Sequence, residues 1–291
     1  MKKQLRTLTA LGAVLALCAA CGQAKAGRAL PDGDQAATYV SAKFQDTMNA
    51  LHETLGRQKN TTTSFDTYFR IDDKWAHNTV TAARQGTPES KITRNKSVKK
   101  PDQYQNTYSP AKDPLDYVEI GPGFKDAAPT SWVSMPKAKV TVSCGWGGII
   151  SACHMTQAVA LAYNANKKVV TKAKSLPGGK TELTADVTLA AFLDAKVEQL
   201  PSSLSALISD EMRKEVVPTK VVINADNTLD QIVMDAKIDK GGHHIELHEE
   251  FHVTGAASPN DFPALPDPAQ ITALPDKAAV DAFYDKLSGG K

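Results

Sequence analysis

The chain has 291 residues, with 34 Lys and Arg against 32 Asp and Glu, and is 42% hydrophobic and 23% charged. This composition excludes a disordered or fibrous protein, and a formal charge of +2 gives no general electrostatic ground for binding nucleic acid. No internal stretch reaches the roughly 18 apolar residues of a spanning helix.

The N-terminus is read as an export signal. Lys2, Lys3 and Arg6 precede the uncharged apolar run Leu8–Ala20. The run ends in Leu17-Cys18-Ala19-Ala20-Cys21-Gly22, which resembles a bacterial lipoprotein box. That resemblance implies cleavage before Cys21 and lipid on its sulfur. Cys18 departs from the box, where Leu is usual. Ala24-Lys25-Ala26 offers a rival cleavage site that would release a soluble protein. The expected layout is a signal peptide over 1–20, a tether over 21–33 and one domain over 34–291. Loss of residues 1–20 removes three of the 34 basic residues and no acidic one, leaving 31 against 32, or about −1.

Cys144 and Cys153 remain. In an oxidising compartment they are expected to pair across Gly145–Ala152, worth roughly 2–3 kcal/mol by loop entropy. A redox pair or metal ligands are the functional alternatives, and the spacing is wider than C-x-x-C.

Along the body, Val40, Phe44, Met48, Leu51 and Leu55 recur at helical spacing, with Gly56 as a stop. Phe65, Thr67, Phe69 and Ile71 alternate with polar residues as a half-buried strand. From 72 to 135 the chain is polar, with short strands expected near Thr79–Ala83, Tyr117–Ile120 and Trp132–Met135. Lys91, Arg94, Lys96, Lys99 and Lys100 read as a solvated loop or as a contact for a polyanion or anionic lipid. Met155–Asn164 reads as a helix. Leu183, Ala185, Val187 and Leu189 read as a strand, and Leu204, Leu207, Ile208 and Met212 as a helix ending before Pro218. Lys220–Asn224, Leu229–Ile238 and His243–Thr254 form an antiparallel meander, followed by a short helix near Lys277–Leu287.

His248-Glu249-Glu250-Phe251-His252 matches the zinc motif H-E-x-x-H, in which a helix presents two His to the metal and the Glu to a water. The surrounding pattern is that of a strand. Ile245, Leu247, Phe251 and Val253 share one parity, His244, Glu246, His248, Glu250 and His252 the other, and Glu249 falls on the apolar side. A zinc-dependent hydrolase using His248, Glu249 and His252 is therefore a remote alternative. A surface metal at His244, His248 or His252 is a weaker candidate than a plain solvated face whose His titrate near neutral pH. No G-x-S-x-G, P-loop or dinucleotide fingerprint occurs, so no catalytic residue and no cofactor is assigned.

Three features carry a family resemblance. They are the box at Cys21, the helix feeding Ser64–Ile71, and Val221–Leu229 with its Asn224-Ala225-Asp226-Asn227-Thr228 turn. Phe251–Gly255 and Asp261-Phe262-Pro263 extend it. Together they resemble the LolA-like lipoprotein-carrier fold, in particular actinobacterial envelope lipoproteins of the LppX/LprG type. The resemblance spans about 34–75 and 175–275, and residues 76–165 depart from it. It implies an α+β fold with a curved antiparallel sheet, or half-barrel, and helices packed on its concave side. It also implies a cavity for lipid or lipoglycan acyl chains and no catalysis. Phe65, Phe69, Val187 and Leu189 are the candidate lining residues, and each is more often plain core, because alternation reports burial and not a cavity. The expected protein is a lipoprotein on the outer face of the cytoplasmic membrane, or a secreted one, that binds a hydrophobic ligand. An envelope protein-interaction or sensor module of the same fold is the alternative. The sequence names no protein partner.

Overall fold

The computed structural model describes Met48, Leu51, Thr54, Leu55 and residues 58–137 and 144–288. The chain divides into Met1–Ala36, which lies outside the described residues, and Ala37–Lys291, which is one compact unit. Cys21, the export signal and most of the helix expected over Val40–Leu55 also lie outside them. Of that helix, Met48, Leu51 and Leu55 are helical and buried in the main core.

Twelve strands form one curved, unclosed sheet in the order β12-β6-β5-β4-β3-β2-β1-β11-β10-β9-β8-β7. All neighbours run antiparallel except β12 (Ile271–Ala273), which lies parallel to β6 (Trp132–Pro136). At the centre, β1 (Thr61–Ile71) lies between β2 (Lys74–Gln85) and β11 (His243–Ala256). The sheet continues one way through β3 (Ser90–Ser97), β4 (Tyr104–Ser109) and β5 (Leu115–Ile120). The other way it runs through β10 (Leu229–Lys240), β9 (Val216–Ile223), β8 (Thr181–Thr188) and β7 (Val170–Ser175). Gly241 and Gly242, both at positive φ, make the two-residue turn between β10 and β11, a backbone that disfavours a Cβ.

Beyond the helical residues Met48, Leu51, Thr54 and Leu55, five α-helices occur among the described residues: α1 (Ile150–Ala165), α2 (Leu189–Asp194), α3 (Ser202–Ser205), α4 (Asp210–Arg213) and α5 (Lys277–Leu287). The first four cover the half of the sheet from β1 to β8. The apolar parity of those strands meets Ala152, Met155, Val159, Leu189, Phe192 and Met212 in the main core. The fifth closes a second core, in which Phe283 packs on Val118, Ile120, Val133 and Met135. Opposite residues in an antiparallel pair share a face. The register through β1–β5 therefore puts both cores on the same, concave face. Between them the concave face is polar, with Asn78, Thr93, Asn95, Gln105 and Thr107.

Several expectations are corrected. The polar stretch 72–135 holds five full strands, because Thr, Tyr, Val and Asn alternate there on a surface that is only half buried. The basic group is a loop only at Lys99 and Lys100. Lys91, Arg94 and Lys96 lie on β3, where Arg94 faces away from Lys91 and donates to Asp261 O at 2.6 Å. Lys91 pairs with Glu89, and Lys99 sits 4.7 Å from the Trp75 ring centre, so the five do not form one free patch. Leu189 opens α2 instead of ending β8, since Thr188 accepts from Ala191 N at 3.2 Å and starts the helix there. The helix expected over Leu204–Met212 is two single turns, broken where Ser209 caps α4. Pro218 stands inside β9, not after a helix.

Candidate functional site

The site is built where the cover meets the middle of the sheet. On β1, Phe65, Thr67 and Phe69 point to the concave face, directly opposite Phe251, Glu249 and Leu247 on β11. Phe69 on β1, Val187 on β8 and Leu189 at the start of α2 are buried in the main core, and Phe65 is half-buried against it. The structure thus places three of the four candidate lining residues on the sheet and Leu189 in the cover, all within one apolar core.

A polar cluster interrupts that layer. Glu249 has no exposed surface and lies between Leu247 and Phe251. Its Oε1 is 2.9 Å from Thr67 Oγ1, and its Oε2 is buried with no hydrogen-bond partner. Glu198, from the segment after α2, places Oε2 3.3 Å from the same hydroxyl. One hydroxyl has one proton to donate. Both contacts are hydrogen bonds only if one carboxyl keeps its own proton and donates it to Thr67 Oγ1. Burial, reinforced by the charge of Glu198, pushes the Glu249 pKa well above the ordinary carboxyl range, against the pull of the Thr67 hydroxyl. Burial likewise raises Glu198.

Local structure delivers Glu198 to this point. At the end of α2, Lys196 adopts φ of 58°, Lys196 N donates to Leu193 O at 2.9 Å and Val197 N to Phe192 O at 3.2 Å. This is a Schellman turn with Lys in the left-handed position that Gly usually takes. It sends Val197 into the core and Glu198 onto the sheet. The side chain of His154, from α1, hydrogen-bonds to the Lys196 backbone, and its pKa is lowered chiefly by burial.

The H-E-x-x-H segment lies on β11, a strand, as its parity indicates. His248 and His252 face the convex side and Glu249 the interior, so the motif cannot hold a metal and aim the Glu at its water. Three convex His lie against carboxylates instead: His248 Nδ1 is 2.5 Å from Asp235, His244 Nδ1 2.6 Å from Asp239 and His77 Nε2 3.0 Å from Asp66. At the start of β11, His243 Nδ1 lies 2.8 Å from Asp72. No group of three or more His, Cys, Asp or Glu suited to a metal occurs among the described residues. Beside His248 is a shallow, open groove of about 370 Å3, edged by Tyr68, Val216, Asp235, Lys237 and Glu246.

Cys144 and Cys153 form a disulfide, with Cα atoms 6.1 Å apart, which ties the loop before α1 to its first turn. Within that loop Gly148 O accepts from Thr63 Oγ1 at 2.9 Å, and the Arg84 guanidinium lies 5.3 Å from the Trp146 ring centre. Glu198 and Thr67 were not legible as a site in the sequence. Glu249 was legible only as a charged residue at an apolar parity.

No protein-family model matches the chain, and no curated protein matches it. Solved structures similar to it include the lipoprotein LppX of Mycobacterium tuberculosis, at 14% identity and a TM-score of 0.26, covering 75% of this chain and 94% of that one. The first is of the kind that the sequence resembles. A putative outer membrane lipoprotein-sorting protein domain from Vibrio parahaemolyticus matches at 8% identity and a TM-score of 0.24, covering 75% and 94%. A DUF1329 family protein from Desulfovibrio piger matches at 6% identity and a TM-score of 0.21, covering 82% and 98%.

Proposed function

We propose that the chain is an exported, non-catalytic binding protein that holds a hydrophobic ligand, a lipid or the acyl chains of a lipoglycan, between its sheet and its helical cover. Lipid on Cys21 would tether it to the outer face of the cytoplasmic membrane. One observation carries the reading. The concave face is apolar over half of an unclosed sheet, and in that half three of the covering helices, α2, α3 and α4, are only four to six residues long. Such short helices have little stability of their own and depend on packing, so the cover can part locally without unfolding the sheet. Phe65, Phe69 and Val187 pack against that cover, and Leu189 belongs to it, so ligand entry between them requires it to part. The test is extraction of the protein from its native envelope and mass spectrometry of what co-purifies. A stoichiometric lipid supports the reading, and repeatedly ligand-free protein overturns it.

A second reading, a module that binds another envelope protein, draws on Trp75 and Val98. Both are exposed apolar residues, and Val98 N donates to His77 O two residues from Trp75. Loss of a cross-linked partner in Trp75→Ser, with lipid content unchanged, would favour it.

A further inference from the structure

The carboxyl pair joins the two parts that must separate for a ligand to enter. Thr67 and Glu249 belong to the sheet, and Glu198 to the cover segment between α2 and α3. We propose that Glu198, Thr67 and Glu249 form a proton-operated latch, closed while the pair holds a proton and opened when both carboxyls ionise. The proposal rests on the ligand-binding reading for its purpose, but not for its mechanism.

Two carboxyls converge on one hydroxyl in an apolar setting, and the other oxygen of Glu249 has no partner. With a proton shared there, the cluster is a chain from Glu198 through Thr67 to Glu249. Without it, two negative charges face each other across the boundary between sheet and cover, with one donor between them. The groups facing the pair offer little compensation. Opposite Thr67 on β2 is Asn78, and opposite Glu249 on β10 is Met234. Asp66, next to Thr67, adds negative charge. On the cover, Lys196 is exposed and His154 is held against the Lys196 backbone. The pKa of Glu249 is influenced by Glu198, Thr67 and Asp66, and no cation is among its causes. Relief therefore comes by moving Glu198 outward to water. The left-handed turn at Lys196 and the single helical turns α3 and α4 are where the chain can yield.

The sign follows from linkage. Both carboxyls have pKa values raised in the folded protein. Their contribution to stability is fully present below the ordinary carboxyl pKa and is lost as pH rises through the folded values. Opening of the cover should thus increase with pH.

The test is hydrogen–deuterium exchange on the full-length chain without added ligand, at a series of pH values from 5 to 9, corrected for the intrinsic pH dependence of exchange. Protection of residues 195–208 should fall by up to about tenfold per pH unit across the window in which the pair loses its proton, with β10 and β11 unaffected. In Glu249→Gln that dependence should weaken to what burial of Glu198 alone gives, and in the double variant Glu198→Gln with Glu249→Gln it should vanish. In Thr67→Val, which removes the bridging hydroxyl, protection of 195–208 at pH 5 should drop toward the value that the unaltered protein shows at pH 9. Protection of 195–208 that does not change with pH overturns the latch. So does a fall that persists in the double variant Glu198→Gln with Glu249→Gln, or protection at pH 5 that Thr67→Val leaves unchanged. Because no ligand is added, a latch that operates in a protein carrying no lipid would overturn the ligand reading alone, and lipid-loaded protein with a flat profile would overturn the latch alone.

Discussion

Reduction of the Cys144–Cys153 bond is the perturbation whose size follows most directly from the structure. The cysteines are nine residues apart, so the bond closes a loop of about ten residues. The loop-entropy relation gives about 2.7 kcal/mol for that size at 25 °C, close to a hundredfold in the unfolding equilibrium. Cys153 is buried at the start of α1, and Cys144 packs against the same core. Comparing oxidised with reduced protein leaves both sulfurs in place, so it separates the cross-link from the packing. Urea unfolding, followed by the fluorescence of Trp146 and its fellow tryptophans, should show a midpoint lower by about 1 M after reduction. Cys144→Ala with Cys153→Ala should lose the same amount and somewhat more, because apolar sulfur then leaves the core. Equal stability of the oxidised and reduced forms would refute the reasoning.

Other outcomes are equally specific. Phe283→Ala should detach α5, at a cost of about 3 kcal/mol, and be read as lost amide protection over 277–287 while β10 and β11 keep theirs. Gly148→Ala should destabilise by about 1–3 kcal/mol in thermal or urea unfolding, because its Cβ would lie 2.5 Å from the Trp146 ring and 2.7 Å from Ala82 Cβ. Gly147→Ala, whose Cβ meets only Thr93 at 3.4 Å, should change little by the same measurement. His248→Ala and His252→Ala should leave zinc content unchanged in equilibrium dialysis, since the two His and Glu249 occupy opposite faces of β11.

The meander of β9, β10 and β11 was legible because β9 is rich in β-branched residues, most of β10 and β11 alternates, and Asp226-Asn227 and Gly241-Gly242 punctuate it. The same alternation showed His248-Glu249-Glu250-Phe251-His252 to be a strand despite its motif. Of the five strands over 72–136, β5 and β6 were legible, β2 was seen only in part, and β3 and β4 were missed, since those two are rich in Thr, Asn, Lys and Gln and period-two contrast fades where burial is partial. Leu189 was misread for a related reason. An apolar residue at the correct parity can end a strand or open a helix, and the Thr188 side chain decides between them.

By itself, the sequence determined that a basic start precedes an uncharged apolar run at the N-terminus, that two cysteines stand a short loop apart, and that a half-buried antiparallel sheet dominates the C-terminal third. These are local properties, set by charge, spacing and alternation within a few residues. Tertiary structure alone decided that Glu198 reaches Glu249. Their 51-residue separation is bridged by a left-handed turn at Lys196 and by strand register, neither of which leaves a periodic trace. A buried charge looks in sequence like any other Glu. Only the packing around it, with one hydroxyl between two carboxyls, turns it into a group with a proton to lose.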